Sequence, residues 1–331
     1  MRLRLATFNL ENLGDREGGP SLAERIAVLR PQLLRLDADI LCLQEVQASR
    51  PPGGGPRAPL ALDALLEGTP YAGFARACST SPDPVTGAPR LADVHNLVTL
   101  SRLPIRAARS LRHELVPPLP YLARSALPVP VELPCRFDRP ALLVEIELPG
   151  GRPLHLVNLH LKAPLAAFVP GQKQGPFAWR SVAGWAEGFF VAAVERAAQA
   201  LEVRLALEAV FAAEPEPLLA VAGDLNAEDR ETPLRLLCAE TADTGNGELA
   251  PHSLVPLERS LPDDRRFTAI HHGRRLMLDH LLVSRALLAR FRGLEVHAET
   301  LDDELAPSEW VERATESYHA PLVASFELEE G

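Results

Sequence analysis

The sequence predicts an α/β sandwich, and three observations support this fold class. Short apolar runs of strand length occur along the whole chain. Long stretches with helical spacing are few, and the strands are joined both by hairpins and by longer crossovers. The 331 residues, 47% of them hydrophobic, suffice for one large domain or two. Because no shift in composition marks a boundary, we predict a single domain over residues 1–331.

The first hundred residues alternate strands with one clear helix. Ser21, followed three residues later by Glu24, forms a capping box that opens a helix. Pro31 lies inside this helix and should kink it or restart it. The stretch 51–59, PPGGGPRAP, is a loop. Apolar runs predict strands over residues 3–8, 39–44, 71–77 and 94–100.

The remaining chain contains a proline-rich excursion, a hairpin and a long helix. Residues 115–140 carry seven prolines and predict an ordered excursion instead of a linker. Two apolar strands flank Pro149-Gly150-Gly151, which is typical of a hairpin. Helical spacing continues from residue 181 to 212. Further strands are predicted over residues 218–222, 277–283 and 321–328.

Charge and composition limit the classes of function. The net charge of −10 opposes general binding to duplex nucleic acid, but a bound cation reverses the local sign and leaves a nuclease open. The four cysteines are widely spaced without a paired metal-binding pattern, and Cys42 is interpreted as a core residue. No signal-peptide core or membrane-spanning apolar stretch is recognised, so we expect a cytoplasmic protein.

Polar side chains recur where the apolar strands end, which is where α/β folds place ligands. Each of them alone has an ordinary interpretation as a turn, a helix cap or a solvated group. Together their oxygens, without a thiolate set, suit a hard cation such as Mg²⁺ or Mn²⁺. Imidazole beside carboxylate suits proton transfer, so the set predicts metal-assisted attack of water on a phosphoester. These residues are Asn9, Glu45, His160, Asp224, Asn226, Asp279 and His319.

Seven segments resemble, in order, the motifs of the endonuclease/exonuclease/phosphatase superfamily: ATFNLENL, LCLQEV, HNLVTLSRLPI, VNLHLKA, AGDLNAE, LMLDHLLVS and HAPLV. They extend from residue 6 to residue 323, and FTAIHHGRRLMLDHLLVS is similar to bacterial members labelled as nucleases. The resemblance implies a DNase I-like four-layer α/β sandwich, with two mixed sheets packed face to face and helices outside. It also implies a divalent-metal-dependent phosphodiesterase, foremost a nuclease.

The resemblance further implies roles for the matching residues. Glu45 would be the principal ligand of Mg²⁺ or Mn²⁺, with Asn9 beside it. Asp224 would orient or deprotonate the attacking water, and Asn226 would bind a phosphate oxygen. His160 would donate a hydrogen bond to the phosphate or act as acid toward the leaving group.

At the end of the chain, Asp279 would hold His319 in one tautomer, and His319 would act as base or phosphate clamp. Asn96 and Arg139 are expected to contact the phosphate. His280, next to Asp279 on the same strand, should face the opposite way and be structural.

One motif departs from the family. The superfamily usually ends in Ser-Asp-His, whereas this chain has Ser317-Tyr318-His319. The replacement is compatible with a one-metal site, with help from Glu316, with altered specificity or with lost activity. An inactive binding scaffold of the same fold therefore stays an alternative.

The fold does not define the substrate. A phosphodiester, DNA or RNA first, is expected, with a phospholipid (sphingomyelinase-like) or small-molecule phosphoester as the alternative, and we expect a monomer. Arg265, Arg266, Arg274 and Arg275 form either a phosphate-binding patch or a solvated surface offset by neighbouring acids. Residues 115–139 and 163–190 should shape the mouth of the site. The second segment is either an exposed apolar surface for lipid or a partner, or a loop packed on its own domain, which we favour.

Overall fold

The computed structural model describes residues 1–14, 19–175, 178–306 and 315–328. The strands in this part of the chain are β1 (Arg2–Leu13), β2 (Ile40–Val46), β3 (Ala75–Cys78), β4 (Ser81–Pro82), β5 (Pro89–Arg90), β6 (Asn96–Ser101), β7 (Ile105–Leu111), β8 (Leu119–Ala123), β9 (Val131–Cys135), β10 (Ala141–Glu147), β11 (Pro153–His160), β12 (Leu218–Asp224), β13 (Leu254–Pro256), β14 (Ala269–His271), β15 (Arg274–Leu276), β16 (Asp279–Ser284), β17 (Phe291–Val296) and β18 (Leu322–Glu327). The α-helices are α1 (Leu22–Leu36), α2 (Leu60–Leu66), α3 (Val182–Ala213), α4 (Thr232–Cys238), α5 (Thr241–Thr244) and α6 (Arg285–Leu288). Short 3₁₀ helices cover Pro70–Gly73, Gly247–His252, Leu257–Ser260 and Asp263–Arg265.

Two six-stranded mixed sheets form the frame. The first has the order β17-β18-β1-β2-β6-β3, in which β1 runs parallel to β2 and antiparallel to β18. The second has the order β13-β16-β12-β11-β10-β7, in which β11 runs parallel to β12 and antiparallel to β10. Three two-stranded ladders, β4–β5, β8–β9 and β14–β15, lie outside these sheets.

The apolar residues divide the molecule into four layers. Successive strand residues face opposite sides, so Leu5 of β1 joins the core between the sheets while Ala6 joins a cluster with α1 and α2. A third cluster packs α3 and α4 against the outer face of the second sheet, where Val203 and Leu207 meet Val221. The order helix, sheet, sheet, helix confirms the predicted DNase I-like four-layer α/β sandwich.

A buried polar network joins the two sheets beneath the strand ends. The Nε2 of Gln44 donates to Oδ1 of Asn158 at 2.8 Å and lies 3.1 Å from Oγ1 of Thr7. The Nδ2 of Asn158 lies 3.1 Å from the carbonyl oxygen of Val98, across the interface. Because buried polar groups are costly without partners, this network holds the sheets in one relative position. Gln44 directly precedes Glu45 in β2, so the network also supports that carboxylate.

The predicted elements agree with the structure except in two places. The capping box of Ser21 and Glu24 is present. Of the kink or restart predicted at Pro31, the restart is wrong because α1 continues through this residue, and the kink stays a prediction. Leu29 and Leu33, both fully buried against the first sheet, hold the helix across the lost hydrogen bond. The strand predicted over 71–77 is wrong in its first half, where Pro70–Gly73 forms a 3₁₀ helix.

Tyr71 explains the second difference. Its side chain is buried, and its hydroxyl donates to the carbonyl oxygen of Leu33 and accepts from the amide of Ala38, both at 3.0 Å. An apolar run therefore packs on α1 as a turn, and the strand begins only at Ala75. The hairpin of β10 and β11 and the long helix α3 are confirmed.

The β8–β9 hairpin, the segment after β11 and the start of α3 pack together. The carboxylate of Glu187 accepts hydrogen bonds from the hydroxyl of Tyr121 and from the amides of Arg124 and Ser125. Val169 is fully buried in this contact, as expected for a segment packed on its own domain.

The solvent-facing side of these three packed segments is nevertheless apolar. We call it the apolar cap: Leu119, Leu122, Leu127, Val129, Leu165, Phe168, Val182, Trp185, Phe189 and Phe190, all exposed.

None of the helices in the described ranges is both long enough and apolar enough to cross a membrane.

Candidate active site

The polar strand ends meet at one edge of the sandwich because three strands of the second sheet lie in register there. His160 of β11 pairs with Asp224 of β12, and Asp224 pairs with Asp279 at the start of β16. Gly223 permits the close approach, since its φ is +150° and a Cβ would collide with the carbonyl oxygen of Leu159. Strand pairing therefore brings together residues that lie far apart in the sequence.

Asp224 is the centre of the hydrogen-bond network and is almost fully buried. Its Oδ2 accepts from Nδ2 of Asn9 at 3.1 Å and from Nδ2 of Asn226 at 3.2 Å, while the amide of Asn226 donates to Oδ1 at 2.9 Å. The Nε2 atoms of His160 and His319 lie 3.3 Å and 3.9 Å from Oδ2. Four predicted site residues thus surround the fifth.

This environment keeps Asp224 ionised. Burial raises its pKa, but the charges of His319 and His160 and the amide of Asn226 outweigh burial, so the pKa lies below its usual range. A carboxylate of low pKa is a weak base but a good hydrogen-bond acceptor. Of the two roles expected for Asp224, this favours orienting water over deprotonating it.

His319 is held by Asp279. Its Nδ1 donates to Oδ2 of Asp279 at 2.8 Å, which leaves Nε2 directed toward Asp224. Burial lowers the pKa of His319, but Asp279 and Asp224 outweigh it and raise that pKa well above its usual value. Ser317 fixes the loop, since its Oγ donates to the carbonyl oxygen of Asn9 at 2.7 Å and accepts from the amide of His319 at 3.0 Å. A cationic Nε2–H is suited to clamping a phosphate oxygen.

Glu45 closes the other side of the site from the end of β2. Its Oε1 lies 3.4 Å from Nδ2 of Asn9 and 3.8 Å from Nε2 of His160. Its Oε2 is buried and has no hydrogen-bond partner among the described residues. A buried oxygen of this kind is unfavourable unless a cation or a hydrogen-bond donor contacts it. The residues present therefore fit a divalent metal ion. Two groups bring their ligand atoms within 4.8 Å of one another: Glu45, His95 and His160, and Asp224, Asp279 and His319.

Arg139 also reaches the site. Its Nη1 lies 2.6 Å from Nδ1 and 2.8 Å from Nε2 of His160. Two further contacts of 3.1 Å join its Nε and Nη2 to the carboxylate of Asp138, which orients the guanidinium. Its position beside His160 is compatible with the expected phosphate contact.

Asn96 and Asn226 use their side-chain amides in hydrogen bonds within the protein. The Nδ2 of Asn96 donates to the carbonyl oxygens of Val46 and Ala92, and its Oδ1 accepts from the amide of Ala92, all at 2.9 Å. The Nδ2 of Asn226 donates to Leu161 and to Asp224. These bonds orient both side chains beside Glu45 and Asp224, and the phosphate contacts expected of them stay predictions.

Two residues without a predicted role lie in the site. Glu11 has a φ of +50°, and burial together with the charge of Glu45 raises its pKa to about 7. His95 has a φ of +58°, and its ring lies edge-on to that of His160 with centroids 6.2 Å apart. Burial and the charge of Arg139 lower the pKa of His95 to about 4. Their closeness in sequence to Asn9 and Asn96 was the available signal.

His280 and Tyr318 have distinct surroundings. His280 is fully buried away from the site, where Nδ1 contacts Glu258 and Nε2 lies 2.8 Å from the carbonyl oxygen of Ala227, as the structural interpretation expects. Tyr318 is partly exposed. Burial and the carboxylates of Glu316 and other acids raise the pKa of its hydroxyl. Tyr318 therefore borders a negatively charged rim.

The predicted basic patch is largely compensated. Arg274 contacts Glu228, and Arg266 lies 3.2 Å from Asp263. The guanidinium of Arg275 lies over the ring of Phe267, with its carbon 4.5 Å from the ring centroid. These contacts favour the interpretation of a solvated, offset surface.

The chain belongs to the endonuclease/exonuclease/phosphatase family, whose sequence model matches residues 6–308. Members of this family are phosphoesterases and nucleases that use divalent metal ions. His319 lies beyond the matched residues, but the hydrogen bond to Asp279 places it in the same site.

Solved structures share the fold. The protein is similar to an endonuclease/exonuclease/phosphatase from Bacteroides vulgatus, at 15% identity over 99% of this chain and 100% of that chain, with a TM-score of 0.57. The catalytic domain of human Nocturnin with a bound sulfate anion matches at 18% identity over 98% and 94%, with a TM-score of 0.52. D. rerio TDP2 complexed with single strand DNA product matches at 14% identity over 99% of each chain, with a TM-score of 0.51. No curated protein sequence matches the chain.

Proposed function

We propose that this protein is a divalent-metal-dependent phosphodiesterase and that nucleic acid is its substrate. The observation that carries the proposal is the position of the buried Asp224 carboxylate between two histidines, beside the unpartnered oxygen of Glu45. Oxygen ligands next to fixed hydrogen-bond donors suit in-line attack of water on a phosphodiester. The match over residues 6–308 supports one domain across the chain.

The chain's own residues divide the work around the scissile phosphate. Glu45 and Asn9 would hold the cation, Mg²⁺ or Mn²⁺, which supplies positive charge to the phosphate oxygens when bound. Asp224 orients the attacking water by accepting its hydrogen bond. His319 donates from Nε2 to a non-bridging oxygen, with Asp279 fixing its tautomer.

We assign His160 and Arg139 to the side of the phosphate from which the leaving oxygen departs. His160 lies between Asp224 and Arg139 and is placed to donate a proton to the departing oxygen. The guanidinium of Arg139 adds positive charge where negative charge develops. Asn226 keeps Asp224 in position through two hydrogen bonds.

Nucleic acid is favoured as substrate by family membership and by a relative of the same fold that was solved with a single strand DNA product. The acidic net charge and the compensated arginines limit the contacts expected far from the scissile phosphate. We therefore expect short or single-stranded substrates to be cleaved better than long duplexes. The monomeric state and the cytoplasmic location stay sequence-based predictions, and light scattering after size-exclusion chromatography tests the first.

A phospholipid substrate is the second candidate, and the apolar cap is the observation that favours it. Leu165 and Phe168 are 60% and 63% exposed, and Val182 at the start of α3 is 80% exposed. Leu165 follows His160 by five residues, a span of at most about 17 Å of extended chain. An apolar surface so close to the site suits substrates that lie in a lipid layer.

Hydrolysis of bis-p-nitrophenyl phosphate tests the reaction first. We expect turnover with Mg²⁺ or Mn²⁺, none in excess EDTA, and a large loss in Glu45→Gln but not in the exposed control Glu67→Gln. Undiminished turnover in EDTA would overturn the metal assignment. A protein silent on every phosphodiester tested, with either metal, would support the inactive scaffold.

A substrate panel then separates the two candidates. Plasmid, single-stranded DNA, RNA and sphingomyelin vesicles are compared at equal phosphodiester concentration. Cleavage of nucleic acid alone supports the first candidate. Cleavage of sphingomyelin alone, reduced in Phe168→Ser and unchanged in the distant Leu249→Ser, overturns it in favour of the second.

A further inference from the structure

His95 has an unfavourable backbone conformation. Its φ of +58° lies in the left-handed region, which glycine adopts freely and larger residues rarely do. The residue precedes β6, directly before Asn96. Unfavourable backbone conformations persist where the side chain they present is needed, so the imidazole of His95 calls for a role.

The ring nitrogens separate His95 from the structural histidines. His113 has the same φ of +58°, but its Nδ1 lies 2.9 Å from the carbonyl oxygen of Val116 and its Nε2 accepts from the amide of Phe137. His280 likewise has contacts at both ring nitrogens. The Nδ1 of His95 is buried and has no hydrogen-bond partner among the described residues. The Nε2 of His297 also has no hydrogen bond, but it lies 3.3 Å from Oε2 of Glu295. Because buried polar atoms are nearly always paired, the Nδ1 of His95 calls for a partner.

His95 belongs to the same small group of side chains as Glu45, whose Oε2 is also unpartnered among the described residues. One ligand atom each of Glu45, His95 and His160 lies within 4.8 Å of the others, and the rings of the two histidines meet edge-on. His95 and Glu45 therefore each have one buried atom without a partner within a single cluster. A cation bound by both residues would supply the missing partner.

We propose that His95 is a ligand of the divalent cation together with Glu45. Mg²⁺ prefers oxygen ligands, whereas imidazole suits first-row transition ions. The site therefore selects Mn²⁺ or a similar transition ion over Mg²⁺. This inference rests on the proposed function only for the presence of a metal site.

The variant His95→Gly tests the inference without harming the fold, because glycine accepts this φ. In the wild type without substrate, we expect Mn²⁺ to bind more tightly than Mg²⁺ in calorimetric titrations. In His95→Gly, we expect the affinity for Mn²⁺ to fall by at least about tenfold, the order seen when support of a metal ligand is lost, while the affinity for Mg²⁺ changes much less. Pulsed electron paramagnetic resonance of bound Mn²⁺ should show one coupled nitrogen fewer.

A matched control is His272→Gly, which removes an exposed imidazole from a residue with a φ of +49°. Its Mn²⁺ and Mg²⁺ affinities should equal those of the wild type. Unfolding midpoints without metal should show His95→Gly at least as stable as the wild type, which excludes misfolding as the cause.

The outcomes distinguish this inference from the proposed function. Equal Mn²⁺ affinity in wild type and His95→Gly, or unchanged nitrogen coupling, would overturn the role of His95 even if phosphodiesters are cleaved. Tight Mn²⁺ binding that depends on His95, in a protein without hydrolytic activity, would overturn the proposed function and support the ligand.

Discussion

Asp279 binds His319 across 40 residues of sequence, with Oδ2 of Asp279 2.8 Å from Nδ1 of His319. The next residue on the strand, His280, points through the sheet to Glu258. Two adjacent positions thus serve two purposes, since strand residues alternate between faces. We propose that Asp279 supports the chemistry, whereas His280 is buried in the fold.

Replacing the two histidines should separate these purposes. We expect His319→Ala and Asp224→Asn each to lower kcat by at least about a hundredfold, without loss of fold. This is the usual scale when a group that stabilises transition-state charge or positions a reactant is removed. His280→Ala should instead lower the free energy of unfolding by about 3–5 kcal/mol, because Glu258 stays buried without its partner. Its kcat per folded molecule should change little. Steady-state kinetics and urea denaturation measure both quantities, and equal losses of kcat would show that the wrong histidine was assigned.

Gly223 is expected to tolerate no side chain. In Gly223→Ala the new Cβ meets the carbonyl oxygen of Leu159, a backbone atom of the paired strand β11, at a backbone φ of +150°. We expect a loss of at least about 3 kcal/mol from strain and crowding, together with most of the activity. Gly293→Ala on β17 is the matched control, since nothing lies near its Cβ. A Gly223→Ala protein as stable as the control would contradict the close pairing of β11 and β12.

Glu195 should make stability depend on pH. Burial, with the charge of Asp138, raises its pKa from 4.5 to about 7. Between these values the folded protein binds more protons than the unfolded chain, so stability falls as the pH rises through this window. Glu195→Gln removes this loss and still accepts the amide of Asp138.

The variant should therefore be more stable than the wild type at pH 8 by on the order of 2 kcal/mol, and nearly equal to it at pH 4.5. Urea denaturation at both pH values measures the difference. The exposed variant Glu67→Gln serves as control and should shift stability little at either pH. A difference between wild type and Glu195→Gln that does not change with pH would exclude the titration.

Tyr318→Asp should increase the dependence on metal. The new carboxylate enters a rim that already contains Glu11 and Glu316, so we expect stability without metal to fall by about 1 kcal/mol. Added cation should restore it, and turnover of a chromogenic diester should persist with a steeper metal titration. Tyr318→Asn is the control, because asparagine has the size of the introduced aspartate but no charge. Turnover by Tyr318→Asp without any turnover by the wild type would instead indicate that Tyr318 makes the wild type inactive.

The sequence predicted which residues come together in the site, while the roles proposed for them stay predictions. Glu45, Asp224 and Asp279 were recognisable because each ends or begins an apolar strand. The hydrogen bonds of Asn96 to Val46 and of Asn226 to Leu161 join distant segments, so spacing along the chain does not reveal them.

His95 and Tyr71 show two further limits of sequence patterns. The sign of φ at His95 is a property of the surrounding fold and leaves no mark on residue type. The run around Tyr71 is apolar enough for a strand, but burial against α1 bends it into a 3₁₀ turn. Tertiary contacts decide both cases.

The hydrogen bond from Ser317 to Asn9 has a consequence for the order in which the site forms during synthesis. Asn9 is synthesised long before His319, yet both belong to one site. A nascent chain that ends before Ser317 lacks His319 and the partner strand β18 that pairs with β1. The site therefore becomes complete only after residues 317–327 have been synthesised.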